Sequence, residues 1–512
     1  MQKEKNLIIF DISSHFHRAY ESVKYRIGKD KPNPNYNGNI SSISWRNSSD
    51  ESKKTYDYTY DNLNRLTAAT YTQPDPVVTS FSSRDDRFNS TYDYDQNGNI
   101  KTLTRNGFSG STYEQIDNLG YTYADDGALS SITESSNTAS GFKSKMANGT
   151  GGYTYDDSGN MLTDIHKGMS VEYSYLNLPI KVTKPEGIIE WVYDAVGTKL
   201  SKTVTTDHLE INVNPILSKE YKASMTIESN GNVPNTGNVT FTAGQSITLK
   251  EGFISSAGSD FLARIMPNNV VQVRDYCVGI EYFESQLETI FHTDGRIKYD
   301  GVNSKREYII LDHQANTRVL FRDNGNGSVE ELENYSYYSY GALHQENSSI
   351  QNAYLFGGKE LQVEIDLGWS DFGVRCFDNW SGKWLGIDIL AEAKMGISPY
   401  TYGLSNPIRF SDPSGMIEYD QDGLASVSTD LSGQTRGQNF IDKSTAAAKN
   451  RAAQTQKEQS WSGGDDPING GNLPTATVTA KRNNNESSSS GGLLAAGMTV
   501  VTADAVTPDP TD

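Results

Sequence analysis

Long apolar runs are missing from this 512-residue chain. No stretch of about 18 apolar residues occurs, so nothing reads as a membrane-spanning helix; the nearest approach, 491–506, is interrupted by threonine and by Asp504. Cysteine is nearly absent. Cys277 and Cys376 form no CxxC pair, which excludes a short-spaced disulfide framework and leaves one bridge or, as expected here, two buried free thiols. The seven histidines include no HExxH, and no GxSxG, P-loop or strand-and-helix GxGxxG is present. No cofactor and no metal are therefore expected. Positive charge is also short, with 45 Lys and Arg against 64 Asp and Glu and a net charge of −19. That balance argues against nucleic acid and anionic membranes as partners. The apolar run Asn6-Leu-Ile-Ile-Phe10 is too short for a signal peptide's core, and localisation stays open.

What the chain has is tyrosine, 30 of them, in a recurring phrase. Tyr58-Thr-Tyr-Asp61 runs into Asn64-Arg65-Leu66, Tyr92-Asp-Tyr-Asp95 into Gly98-Asn99-Ile100, Tyr121-Thr-Tyr-Ala124 into Gly127-Ala128-Leu129, and Tyr153-Thr-Tyr-Asp156 into Gly159-Asn160-Met161. Degenerate copies stand at Tyr173-Ser-Tyr175 and Trp191-Val-Tyr-Asp194. Tyr-x-Tyr puts both rings on one face of a strand, Asp with Gly or Asn makes a tight turn, and the next aliphatic residue restarts a strand. Each copy reads as a β-hairpin. A lone hairpin is marginal, so neighbours must pair edge to edge into one long curled sheet. Hairpins of an ordinary β-sandwich are the alternative.

The expected organisation is a segment 1–37, repeats over 38–228, a small inserted β-module over 229–266, a compact unit over 267–416 and a polar tail over 417–512. The tail is rich in Ser, Asn and Gly and should be mostly disordered, with one helix near 443–459. Asp93-Tyr-Asp-Gln-Asn97-Gly98 imitates the start of an EF-hand loop, but Thr104 stands where the bidentate acid belongs, so a hairpin turn is expected. His15 and His17 read as strand alternation, and His313 as a packing or hydrogen-bonding residue.

The repeat phrase resembles the YD repeat of RHS (rearrangement hotspot) proteins. Several downstream phrases resemble the RHS repeat-associated core in order: Asp312-His-Gln-Ala-Asn-Thr-Arg-Val319, Tyr338-Ser-Tyr-Gly341, Phe356-Gly-Gly-Lys-Glu-Leu361, Gly373-Val-Arg-Cys-Phe-Asp378, Gly382-Lys-Trp-Leu-Gly-Ile-Asp388, and Asn406-Pro-Ile-Arg-Phe-Ser-Asp-Pro-Ser-Gly-Met416. The resemblance covers about 34–416. It implies a mainly β, antiparallel chain spiralling into a partial cocoon, as in bacterial polymorphic toxins whose C-terminal toxin is cut free yet held inside. It further implies a single-turnover aspartyl autoprotease, with Asp388 and Asp412 catalytic and cleavage between Met416 and Ile417. Implied partners are the chain's own C-terminal tail or toxin segment as cargo, an immunity protein and secretion machinery, and the implied location is secreted or cell surface. Ile389 and Asn379 replace prolines usual in the family.

Two carboxyls can hydrolyse a peptide when one activates water and the other, protonated, donates to the carbonyl. Read from the residues alone, Asp412-Pro413-Ser-Gly415 is a turn and Asp388 a strand-end cap. A different function class is a non-catalytic surface protein whose tyrosine face stacks on sugars or binds a protein.

Overall fold

The computed structural model describes residues 24–26, 38–45, 53–73, 86–110, 112–136, 140–144, 150–211, 213–266, 271–324, 329–344, 350, 352–394 and 396–420. All belong to one compact unit, Met1–Gln438. His15, His17 and the helix expected near 443–459 lie outside the described residues.

The chain is mainly β. Twenty-one of the described strands form one sheet in which each strand pairs antiparallel with its neighbour along the chain. The sheet runs from Lys24–Arg26 to Val329–Asn334 and does not close on itself. The repeat phrases stand on consecutive hairpins, as their pattern predicts. Lys54–Tyr60 pairs with Leu66–Thr72, Ser90–Tyr94 with Ile100–Phe108, and Tyr113–Tyr123 with Leu129–Glu134.

The turn is the same wherever the phrase carries its aspartate. Asp95 Oδ1 accepts the N–H groups of Asn97 and Asn99 at 2.8 and 2.9 Å, and Gly98 takes φ +80°, a region costly for a side chain. Asp61, Asp156, Asp194 and Asp312 accept the corresponding pair of N–H groups. The EF-hand-like phrase is thus a hairpin turn. The second tyrosine of the phrase reaches back one repeat: Tyr60 donates to the Ile40 carbonyl, Tyr94 to Leu66, Tyr123 to Ile100 and Tyr173 to Met161, at 2.7 to 2.9 Å. Tyr173 therefore fills the second position, not the first, and Ser174 replaces the aspartate. Tyr175 falls outside the phrase and is exposed.

Lys199–Thr206 pairs directly with Gln272–Cys277, so the chain between them is an insertion in the sheet. Its strands do not form hairpins. His208–Ile211, Thr226–Ser229 and Ser246–Leu249 stack parallel, as do Glu220–Ala223, Asn238–Ala243 and Asp260–Ile265. The module begins earlier than the expected 229–266, at His208. It is a coil of stacked rungs around Ile211, Ile227, Val239 and Phe241.

The segment from Tyr335 to Glu418 packs on the tyrosine-bearing face of the sheet. Phe372, Phe377, Trp384 and Tyr402 share one core with Tyr58, Tyr92 and Tyr121. Its polar groups read the repeat turns: Asn406 Nδ2 donates to the Asn64 carbonyl, Ser405 Oγ to Gly98, and Tyr400 to Gly159. Both cysteines are free, but Cys277 is exposed and Cys376 half-buried, against the expectation of two buried thiols. Ile417 and Glu418 are buried and Tyr419–Asp420 pairs with Phe410–Ser411, so the first residues assigned to the tail belong to the packed unit. Among the described residues no helix is long and apolar enough to cross a membrane.

Candidate cleavage site

Asp412 follows the strand Phe410–Ser411 and opens a turn built like those of the repeats. Its Oδ1 accepts the N–H groups of Ser414 and Met416 at 3.3 and 2.9 Å, and Gly415 holds φ +77°. The fixed φ of Pro413 suits the first corner of such a turn. Asp388 also opens a turn, its carbonyl accepting the Ala391 N–H at 2.9 Å. Its Oδ1 accepts the Leu390 N–H at 2.8 Å, and its backbone N–H donates to the Pro399 carbonyl. Both aspartates thus have local roles in turns, Asp412 in the turn read from its neighbours and Asp388 in a turn rather than at a strand end.

Arg375 brings them together. Its Nη2 lies 3.0 Å from Asp388 Oδ2 and 3.3 Å from Asp412 Oδ2, so two carboxyls distant in sequence share one guanidinium nitrogen. The same guanidinium donates from Nε to the Gly415 carbonyl at 2.6 Å and from Nη1 to the Pro399 carbonyl at 3.2 Å. Its Cζ lies 4.2 Å from the centroid of the Trp384 ring, a cation–π contact that helps to hold it in place.

The peptide between Met416 and Ile417 lies in this cluster and is held on both sides. Lys394 Nζ donates to the Met416 carbonyl at 3.1 Å, and the Ile417 N–H donates to Asp412 Oδ1 at 3.2 Å. Lys394 also pairs with Asp388 Oδ2 and Glu418 Oε2, each at 2.6 Å. Asp388 and Asp412 are 4 % and 1 % exposed, and Met416 and Ile417 are 2 % exposed each. In this dry setting a cation 3 Å from a carbonyl acts far more strongly than it would in water. Burial raises the Glu418 carboxyl, opposed by Lys394 and reinforced by Asp412 and Asp388. Burial, with Asp412 adding to it, raises the Tyr402 hydroxyl well above its ordinary range.

The four residues expected at this site, Asp388, Asp412, Met416 and Ile417, thus stand in one cluster. Arg375, Lys394 and Glu418 were not anticipated. Arg375 lies inside a quoted core phrase, but nothing in its spacing ties it to either aspartate, and Lys394 sits in an unremarkable Ala391-Glu-Ala-Lys394 run. The departures from the family pattern leave the cluster intact. Ile389 projects outward, and Asn379 accepts from Ser370 and donates to the Gly341 carbonyl. His313 is half-buried and bonded to the Ile408 carbonyl, with its pKa lowered by desolvation. Among the described residues no group of three acidic, His or Cys side chains could hold a metal.

No family model matches the chain. Over 407 residues, 72 % of its length, it is 26 % identical to the tRNA3(Ser)-specific nuclease WapA of Bacillus spizizenii, of which the match spans 16 %. The chain is similar to RHS-type, YD-repeat toxin proteins. Over 147 residues, 28 % of its length, it is also 29 % identical to the toxin subunit YenC2 of Yersinia entomophaga, of which the match spans 14 %. It therefore spans less than a fifth of the length of either relative. A solved structure of TcdB2–TccC3 superposes with a TM-score of 0.44 at 14 % identity, covering 77 % of this chain and 18 % of that one.

Proposed function

We propose that this chain is the β-shell and release segment of an RHS-type toxin-system protein, and that it cuts its own Met416–Ile417 peptide once, in cis. The observation that carries this reading is the grip on both sides of that bond, with Lys394 on the carbonyl oxygen and Asp412 on the departing nitrogen. The chemistry from sequence asked a protonated carboxyl to polarise the carbonyl. Lys394 takes the place of that neutral acid with a positive charge and would stabilise the oxyanion as it forms.

The aspartate pair is then free to move the proton. Asp388, on the same ammonium, takes a proton from water as the water oxygen bonds to the Met416 carbonyl carbon. The carbon–nitrogen bond breaks as the proton returns to the Ile417 nitrogen beside Asp412. One water is consumed: its first proton reaches the Ile417 nitrogen through Asp388, its second leaves the new carboxyl for the same nitrogen, and a carboxylate at Met416 and an ammonium at Ile417 are formed. Arg375 positions both carboxyls. The partner in this reading is the chain's own C-terminal part; an immunity protein and secretion machinery follow from the family resemblance alone.

The competing reading, a tyrosine face that stacks on sugars, loses its surface here. Tyr58, Tyr92 and Tyr121 are 5 to 8 % exposed, packed in the core. Mass measurement of the denatured chain tests the proposal: wild type should give fragments 1–416 and 417–512, while Asp388→Asn and Asp412→Asn stay whole. A wild-type chain that stays whole removes the cleavage reading.

A further inference from the structure

A cavity of about 390 Å³ lies where three parts of the fold meet: the coil strand Glu220–Ala223, the sheet strands between Gln272 and Tyr299, and the core segment from Ala353 to Glu364. That volume suits a small molecule. In a chain of net charge −19, six cationic side chains line it against five acidic ones. The cations are short of counter-charge. Glu288 is shared between Arg274 and Lys298, the latter at 3.2 Å. Arg274 reaches Glu288 and Glu281 through Nη1 alone, so its Nε and Nη2 have no partner among the described residues. Lys219 lies over the Tyr221 ring and forms no ion pair among the described residues, and Glu288 and Glu364 attract it only from farther away. Desolvation lowers the pKa of Lys219 and of Lys298, with Glu288 opposing the shift in both. The acids present thus do not make up for the lost water. Lys219 as a whole residue is exposed, so this wall can be reached from solvent.

One acceptor of the same lining is also unused. Lys202 holds Oε1 of Glu364 at 2.6 Å, while the buried Oε2 has no partner among the described residues, an arrangement that is costly unless a donor arrives. A bare anion would answer the cations and leave this oxygen as it is. Phe291 and Tyr354, with ring centroids 4.9 Å apart, add an apolar wall. We propose that this cavity binds a small organic carboxylate that carries an amine or hydroxyl donor beside its acid group. The acid sits on Lys219 and Arg274, the donor on Glu364 Oε2, and the carbon chain against Phe291 and Tyr354. Lys219 immediately precedes the coil strand Glu220–Ala223, so the inserted coil completes the site. The site is independent of the cleavage reading.

Titration calorimetry on the purified full chain tests this with three probes of equal net charge: L-glutamate, D-gluconate and butyrate. L-Glutamate has an amine beside its acid, gluconate has hydroxyls, and butyrate has neither. The expected result is saturable binding of L-glutamate or of gluconate, with butyrate weaker by about tenfold or more for want of the donor. Which of the two binds tells an amine ligand from a hydroxyl one. Lys219→Met strands no paired acid, so it should unfold at the wild-type temperature yet bind about tenfold more weakly or worse. Lys101→Met, at an exposed lysine outside the cavity, should bind as wild type does. The proposal is overturned if neither L-glutamate nor gluconate gives saturable heat, if butyrate binds as tightly as they do, or if Lys219→Met keeps full affinity.

Discussion

Ile417 donates its amide N–H to Oδ1 of Asp412, five residues along the turn. In the repeat turns at Asp61, Asp95, Asp156, Asp194 and Asp312 this oxygen accepts from the second and fourth residues on. At Asp412 those two donors remain and the Ile417 amide joins them. A turn that serves only structure elsewhere here touches the nitrogen of a particular peptide bond. Asp412→Asn keeps an acceptor for the turn and removes the charge and the exchangeable proton. The expected outcome is a folded chain about 1 kcal/mol less stable, with cleavage slowed by about 100-fold or more. Denaturant titration and intact mass check the two parts.

Lys394 gives a second, separable prediction. Lys394→Met fills a similar volume, yet leaves Asp388 and Glu418 near each other without the ammonium that now lies 2.6 Å from both. Removing one member of a buried charged cluster costs about 3–5 kcal/mol. Cleavage should fall with it. The double variant Lys394→Met, Glu418→Gln removes the stranded charge, so it should recover stability but not cleavage. Recovery of both would make Lys394 structural only.

Hairpins were legible from sequence because their requirements are local: alternating rings, an acid at the turn, and a glycine or asparagine to take positive φ. Tyr94 could be placed on a strand in this way. Its bond to the Leu66 carbonyl could not, because that depends on how one hairpin meets the previous one. The degenerate copy was misaligned by two residues for a related reason: Ser174 makes the turn bonds of an aspartate, and Val171 stands where a ring was sought. The parallel coil from His208 to Ile265 was read only as short strands with turns, since strand length and composition do not reveal pairing direction. At the site, Asp388 and Asp412 came from a resemblance, while Lys394 and Glu418 come together only through the packing of the folded unit.

The repeat bond itself is testable. Tyr94→Phe keeps the ring and deletes the hydroxyl that donates to Leu66 at 2.8 Å and contacts the Tyr340 hydroxyl at 3.0 Å. The buried Leu66 carbonyl then lacks that donor, which should cost about 1–3 kcal/mol. Tyr175→Phe, at an exposed residue outside the phrase, should change stability by less than about 0.5 kcal/mol. Equal effects would reject the structural role assigned to the second tyrosine.

Glu360 ties the core segment to the sheet. It pairs with Lys199 and, at 2.8 Å, with Lys202, and accepts the Tyr276 hydroxyl at 2.8 Å. Although burial opposes its charge, the two lysines hold its carboxyl well below the ordinary range. Glu360→Gln should leave two buried ammonium groups short of a counter-charge, at a cost of about 3–5 kcal/mol. The exposed pair Arg322–Glu330 is the control, where Glu330→Gln should cost no more than about 1 kcal/mol. Thermal or denaturant unfolding of both variants decides.

Lys383 carries the pH prediction. It is 3 % exposed, donates to Asn99 Oδ1 at 2.9 Å and lies 4.6 Å from the Tyr123 ring centre. Burial lowers its pKa from 10.5 to about 7, with Asp95 opposing the shift. Between those two values the unfolded chain binds a proton that the folded chain does not, so the contribution of this residue to stability rises with pH across that window. Below pH 7 both states are protonated and the full penalty of burying the charge applies. Lys383→Met removes the proton and the penalty together. The stability difference, wild type minus variant, should therefore be lowest near pH 6 and climb steadily to pH 9.5. Taking the difference cancels the ionisation of the many buried tyrosines, which is common to both proteins. Urea titrations at several pH values measure it, and a difference that stays flat with pH would mean that Lys383 keeps its proton on folding.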